Sequence, residues 1–137
     1  MIDYVFISCV KTKRDSRCKA KDMYISPLFK KAYQYAQQFV AEDKIYILSA
    51  KYGLIHSSQM IDPYEKTLNS DNDKERKVWA YNIIQRMKIL GIPLDSNIVL
   101  LGGANYTKYL SIALKNSQCP VKGLSMGRTL QFYNKHL

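Results

Sequence analysis

The sequence predicts an α/β fold with a short, mostly parallel sheet of four strands. Three observations carry that prediction. Apolar, β-favouring runs at residues 2–7, 45–48 and 98–101 have the composition of strands buried on both faces. Amphipathic stretches with helical spacing separate them. The first unit reads strand, helix, strand, which makes the first two strands parallel. A single domain over residues 1–137 follows from the length.

The first strand ends in Ser8-Cys9-Val10-Lys11-Thr12-Lys13. Backbone N–H groups, two hydroxyls and the Lys11 and Lys13 ammonium groups there suit a phosphate or carboxylate. The glycine pattern of a P-loop is missing, and a solvated basic turn fits the same residues. Cys9 reads either as a thiol activated by Lys11 or as a small buried hydrophobe at a strand end. Residues 13–21 read as a loop. Ser26 then suits an N-cap and Pro27 the first helical position. Leu28, Ala32, Tyr35, Ala36 and Phe39 give the following helix its apolar face.

The central strand, Ile45-Tyr46-Ile47-Leu48, runs into Ser49-Ala50-Lys51-Tyr52-Gly53. Residues 56–72 are too many for a simple connector, and long loops in compact domains are often functional. Within them Asp62, Tyr64 and Glu65 are candidates to reach a ligand. A carboxylate there could polarise water, stabilise a sugar cation or bind a ribose hydroxyl. The alternative is a loop anchored by Tyr64 and Leu68, with its carboxylates paired to lysines. Asp71 or Asn72 caps the next helix, in which Trp79 reads as a core anchor ahead of a stacking platform. Gly91-Ile92-Pro93 ends it.

After the third strand, Gly102 and Gly103 permit close backbone approach, and Asn105 offers a donor and an acceptor. A glycine pair also serves as plain strand-to-helix geometry. Cys119-Pro120-Val121 is the fourth strand candidate. Residues 123–128 form a turn into a last helix over 129–135. Arg128 opposes that helix's dipole, so an anionic partner or a surface salt bridge is expected for it.

In open α/β sheets ligands bind beyond the carboxyl ends of the strands. If the three strands are adjacent, Ser8, Cys9, Lys11, Ser49, Lys51, Gly102, Gly103 and Asn105 share one edge. Charge agrees with a site for an anion. The chain carries 21 Lys+Arg against 11 Asp+Glu, a formal net charge of +10, which favours a nucleotide, nucleic acid or acidic protein partner. A lysine-rich solvated surface gives the same balance. Three cysteines without metal-ligand spacing read as reduced thiols. No apolar run is long enough for a membrane span, and residues 1–4 lack the marks of a signal peptide. The expected location is the cytoplasm, with no metal and no cofactor.

Five motifs occur in order: Ser8-Cys9-x-Lys11-x-Lys13, Asp22-x-Tyr24-x-Ser26-Pro27-Leu28-Phe29, Leu48-Ser49-Ala50-Lys51-Tyr52-Gly53-Leu54, Asp62-Pro63-Tyr64 and Gly123-Leu124-x-x-Gly127-Arg128. Together they resemble a family of small bacterial and phage proteins whose first strand ends in a Ser-Cys-Ser-Lys-Lys-type turn. The resemblance covers nearly the whole chain. This sequence departs from it at Val10 and Thr12, losing one hydroxyl and one charge. That family is in turn distantly similar to the uracil-DNA-glycosylase-like domain of archaeal archaeosine synthases.

The resemblance implies a three-layer α/β/α sandwich and recognition of a nucleobase or nucleotide, with N-glycosidic bond cleavage or base exchange as its chemistry. The glycosylase pattern of an acidic residue directly after the first strand is missing here, where the turn is basic. On this expectation Lys11, Lys13 and Arg128 hold phosphate, and Asn105 and Tyr52 contact the base. Asp62 stabilises the sugar cation or activates water, with Glu65 as substitute, and Lys51 neutralises the departing base or binds phosphate. Two alternatives remain: a non-catalytic nucleotide or nucleic-acid module that uses the same edge, and a phage-type inhibitor that sets its basic surface against an acidic protein, indifferent to Lys11, Lys51 and Asp62.

Overall fold

Tyr4-Val5-Phe6-Ile7-Ser8 is apolar on both faces because it is the middle strand of the sheet. In the computed structural model, which describes residues 1–137, β1 (Tyr4–Ser8) pairs in parallel with β3 (Ile45–Ser49) on one side. On its other side it pairs in parallel with β6 (Ile98–Leu101). Val5 lies opposite both Ile45 and Val99, and all three are buried. The carboxyl ends of the three strands therefore share one edge, as the sequence predicts.

Two edge strands, β4 (Gly53–His56) and β7 (Ser117–Gln118), bring the sheet to five strands, not four, in the order β4-β3-β1-β6-β7. β4 folds back antiparallel on β3, and Gly53 makes the reversal at φ +75°. In the sequence those residues look like the tail of a turn. β7 is the last strand and precedes the expected Cys119-Pro120-Val121. Those three residues instead form turns, with Lys122 N–H bonded to the Cys119 carbonyl and Leu124 N–H to that of Val121. Pro120 has no N–H to give a ladder.

The two stretches read as loops are tied to each other. β2 (Cys18–Lys19) pairs antiparallel with β5 (Met60–Ile61) as a separate two-stranded sheet. The one-turn helix α1 (Ala20–Met23) follows β2. The amides of Ala20 and Lys21 bond the carbonyls of Gln59 and Ser57, at 2.8 and 2.9 Å. Residues 57–61 are thus held by residues 18–21, and a short helical turn, Leu68–Ser70, closes the passage.

α2 (Pro27–Gln37) starts as expected, with Ser26 Oγ accepting from Phe29 N–H. Its buried face is Phe29, Ala32, Tyr35 and Ala36, while Phe39 lies past the helix end and is exposed. α3 (Asp73–Leu90) opens with a reciprocal cap between Asn72 and Glu75 and ends at Gly91, φ +74°. α4 (Ala104–Ala113) begins right after the glycine pair. α5 (Met126–His136) starts earlier than expected because Ser125 caps it by accepting from Arg128 N–H. Arg128 therefore sits in the first turn of that helix. α2 packs on α5, through Tyr35 against Phe132 and Tyr133. α3 packs on α4 and on β4. No helix is long and apolar enough to cross a membrane.

Candidate functional site

At the shared edge the Ser8 side chain at the end of β1 fills the space beside Gly102, the residue after β6. A Cβ on Gly102 would collide with Ser8 Oγ and lie 2.6 Å from Ser8 Cβ, so no side chain fits there. Cys9 continues beyond β1 and stays attached to β3, its N–H bonded to the Leu48 carbonyl at 3.0 Å. Ser8, Cys9 and Ser49 are all buried.

Tyrosine and cysteine side chains from distant parts of the chain close over these strand ends. Ser49 Oγ donates to the Tyr64 hydroxyl at 2.8 Å, which lies 2.6 Å from that of Tyr24. The same Oγ accepts from Tyr52 N–H at 2.9 Å. Cys9 Sγ donates to the Tyr106 hydroxyl at 3.4 Å, which also accepts from Leu68 N–H at 3.2 Å. Burial pushes the Tyr106 hydroxyl up to about 12, with Cys9 beside it adding to the shift. Burial, then the neighbouring Cys9, raises Tyr64 and Tyr24 as well. These phenols therefore stay neutral near pH 7 and can donate as well as accept.

Lys13 covers the cluster from the solvent side, its Nζ 4.5 Å from the centre of the Tyr64 ring and within 3.2 Å of the Lys11 carbonyl. Burial lowers its pKa below the usual lysine value, against the opposing pull of Cys9 and Glu65. No buried side-chain polar atom in the chain lacks a partner. Replacing Tyr64 by phenylalanine removes the oxygen shared by Ser49 and Tyr24. The expected loss is about 1–3 kcal/mol, read as a lower urea midpoint at unchanged slope. A midpoint equal to wild type contradicts the shared-oxygen role.

The structure thus brings Ser8, Cys9, Lys13, Ser49, Tyr64 and Gly102 together. Sequence reasoning missed Tyr24 and Tyr106 as members. Tyr24 stands within one of the quoted motifs, and Tyr106 is in the first turn after the glycine pair, so both carried a signal. Of the remaining candidates, Asp62, Glu65, Lys11, Lys51, Tyr52, Gly103 and Asn105 belong to the segments that border the cluster, whereas no contact joins Arg128 to it. Asp62 is exposed and paired with Arg17 at 3.1 Å. Its backbone carbonyl accepts from the Tyr52 hydroxyl at 3.3 Å. Glu65, Lys11 and Lys51 are exposed, with Lys51 Nζ 5.2 Å from the Tyr52 ring centre. Asn105 Nδ2 donates to Asn69 Oδ1, Gly103 caps α4 through its backbone, and Arg128 is exposed and joins no ion pair.

Beside the cluster, past the turn at residues 50–54, opens a groove of about 620 Å³. Ser49 links the two: its side chain belongs to the cluster, and its carbonyl accepts from Trp79 Nε1–H at 3.0 Å in the groove wall. Trp79 packs edge-to-face on Tyr106, with ring centres 5.6 Å apart. Lys74, Val78, Asn82 and Arg86 line the α3 side at successive four-residue steps, a single stripe of the helix. That spacing is present in the sequence, but Val78 and Asn82 read there with the apolar pattern of Trp79 and Ile83, whereas in the structure Val78 is exposed. No group of three or more His, Cys, Asp or Glu side chains is placed to hold a metal ion.

Neither curated proteins nor solved structures give a match to this chain. Residues 4–135 match a family described as a family of unknown function, DUF6884. That span runs from the first residue of β1 into the last turn of α5 and takes in every residue of the cluster, so the chain belongs to the DUF6884 family.

Proposed function

We propose that this protein binds a nucleotide or nucleic acid at the carboxyl edge of its sheet and acts on the N-glycosidic bond of that ligand. One observation carries the reading: the turn after Ser49 stands between a buried hydroxyl cluster and an open groove, with Lys11, Lys13 and Lys51 around it. Ligand sites in open α/β sheets occupy this position. The ammonium groups suit phosphate, and Tyr52 offers an aromatic face beside Lys51. Asn105 is in the first turn of α4, where it can meet a base or sugar.

Asp62 and Glu65 are the carboxylates we assign to the reaction. Asp62 faces solvent at the rim, joined through its carbonyl to Tyr52. It would stabilise an oxocarbenium-like sugar or activate water, with Glu65 as substitute. Lys51 would neutralise the departing base. The resemblance to the glycosylase-like domain of archaeosine synthases supports the same reading. It also supports a three-layer α/β/α sandwich, in which the α2–α5 and α3–α4 pairs are the outer layers. Right-handed crossovers that run in opposite directions along the sheet, β1 to β3 through α2 and then from β3 and β4 to β6 through α3, favour that arrangement. A cytoplasmic setting fits three free cysteines.

A second reading, a binding module without chemistry, is favoured by the Arg17–Asp62 ion pair, which already neutralises the carboxylate. Mass-spectrometric detection of free base from nucleosides, nucleotides and oligonucleotides separates the two. Release by wild type is expected, falling about 10²-fold or more in Asp62→Asn while binding persists. Unchanged release in that variant removes Asp62 from the mechanism. Saturable binding with no release establishes the module instead.

A further inference from the structure

We infer that the ligand is a stretch of single-stranded nucleic acid that crosses Tyr52 from the basic loop after β1 into the groove beside α3. The inference rests on the nucleotide reading above and deepens it from ligand class to ligand length.

The cations define a track, not a point. In the groove, Lys51, Lys74 and Arg86 form no ion pair. The acidic groups there are already committed. Asp71 holds Lys66 at 2.5 Å, and Glu75 accepts from Asn72 N–H at 2.9 Å in the α3 cap. Lys74 and Arg86 stand on one stripe of α3, about 18 Å apart along its axis at the helical rise of about 1.5 Å per residue. On the far side of Tyr52 lie Arg17, which is paired with Asp62, and Lys13, which stands over the Tyr64 ring that packs on Tyr52. One phosphate cannot meet cations spread over that distance, whereas successive phosphates of a strand can.

The track is continuous. Arg17 touches Asp62, the Asp62 carbonyl takes the Tyr52 hydroxyl, and Tyr52 lines the groove next to Lys51. A strand following it passes Asp62 midway. The shape selects a single strand over a duplex. Reading a duplex requires a helix or ribbon that enters its groove. Here the cations line a recess with the half-buried ring of Tyr52 on its wall, and cations beside an aromatic face hold single strands by phosphate pairing and base stacking.

The test is fluorescence anisotropy with labelled oligo-dT and oligo-rU from dimer to dodecamer and a blunt duplex, alongside calorimetry with thymidine and uridine monophosphates. Affinity is expected to rise with length to a plateau, with the duplex weaker than the octamer. Lys74→Ala/Arg86→Ala should lower the ratio of octamer to mononucleotide affinity about tenfold. It should also flatten the log–log salt dependence for the octamer by about 1.4, at roughly 0.7 for each phosphate left without its cation. A preference between dT and rU reads the sugar and the base methyl together, and either upholds the track. Mononucleotide bound as tightly as octamer, a preferred duplex, or an unchanged double variant overturns it while leaving the nucleotide reading standing. Binding of none of these probes overturns both.

Discussion

Trp79→Ala is expected to cost about 3–5 kcal/mol of folding stability, the usual range for emptying a large aromatic site in a core. The indole is 9% exposed and joins α3 to the end of β3. Its N–H is the partner of the Ser49 carbonyl, and its ring packs on Tyr106 of α4. Alanine would leave a cavity under the strand end and an unpaired carbonyl. Trp79→Phe separates the two effects, since it keeps most of the ring volume and loses only the donor; about 1–3 kcal/mol is expected for it. Trp79 is the single tryptophan, so urea unfolding must be followed by far-UV circular dichroism. A loss below about 1 kcal/mol for the alanine variant contradicts its role as the tie between the helix and the site.

Gly102→Ala is expected to destabilise by about 2–3 kcal/mol, the upper part of the range for overpacking. The reason is local. Ile7 and Leu101 are partners in the β1–β6 ladder, and just beyond them the Ser8 side chain occupies the space a Gly102 Cβ would need. Rotating the Ser8 hydroxyl relieves only the clash with Oγ, because Ser8 Cβ, at 2.6 Å, is fixed to the backbone. The neighbouring Gly103 has no atom within 4 Å of such a Cβ, so the constraint belongs to Gly102 alone. A double-mutant cycle tests this. In a Ser8→Gly background the cost of Gly102→Ala should fall by about 1 kcal/mol or more. An equal cost in both backgrounds removes the steric explanation.

The parts of the fold that were legible in the sequence are those with strong local signals. β1, β3 and β6 are runs of Val, Ile, Leu and aromatic residues because each is buried on both faces. The Ser26-Pro27 start of α2 and the glycine stop of α3 are local chemistry as well. β4 was hidden because Gly53 reads as a turn residue whether or not a strand follows it. β2 and β5 are two residues each, too short for any period, and exist only through pairing with each other. Their order comes from bonds between residues 18–21 and 57–61, which no local pattern announces.

The candidate site divides the same way. Its strand-end members follow from sheet topology and could be named in advance. The Cys9–Tyr106 contact spans 97 residues, and the Tyr24–Tyr64 contact 40. A tyrosine in an apolar stretch signals burial but does not say which hydroxyl it will meet. Asp62 was expected near the strand ends. It lies on the rim, with its carbonyl bonded to Tyr52 and its carboxylate turned to Arg17. The α3 stripe of Lys74 and Arg86 gains meaning only when the turn after β3 is seen across from it.

Everything proposed for the site requires a nucleotide ligand at the carboxyl edge of the sheet. Amide NMR titration of the full chain with nucleoside monophosphates and a single-stranded octamer tests it most directly. Saturable shift changes are expected, confined to residues 9–13, 49–53, 62–66 and 102–105, extending to residue 17 and along α3 with the octamer. Changes confined to α2 and α5, or none with any nucleotide or oligonucleotide, would contradict it.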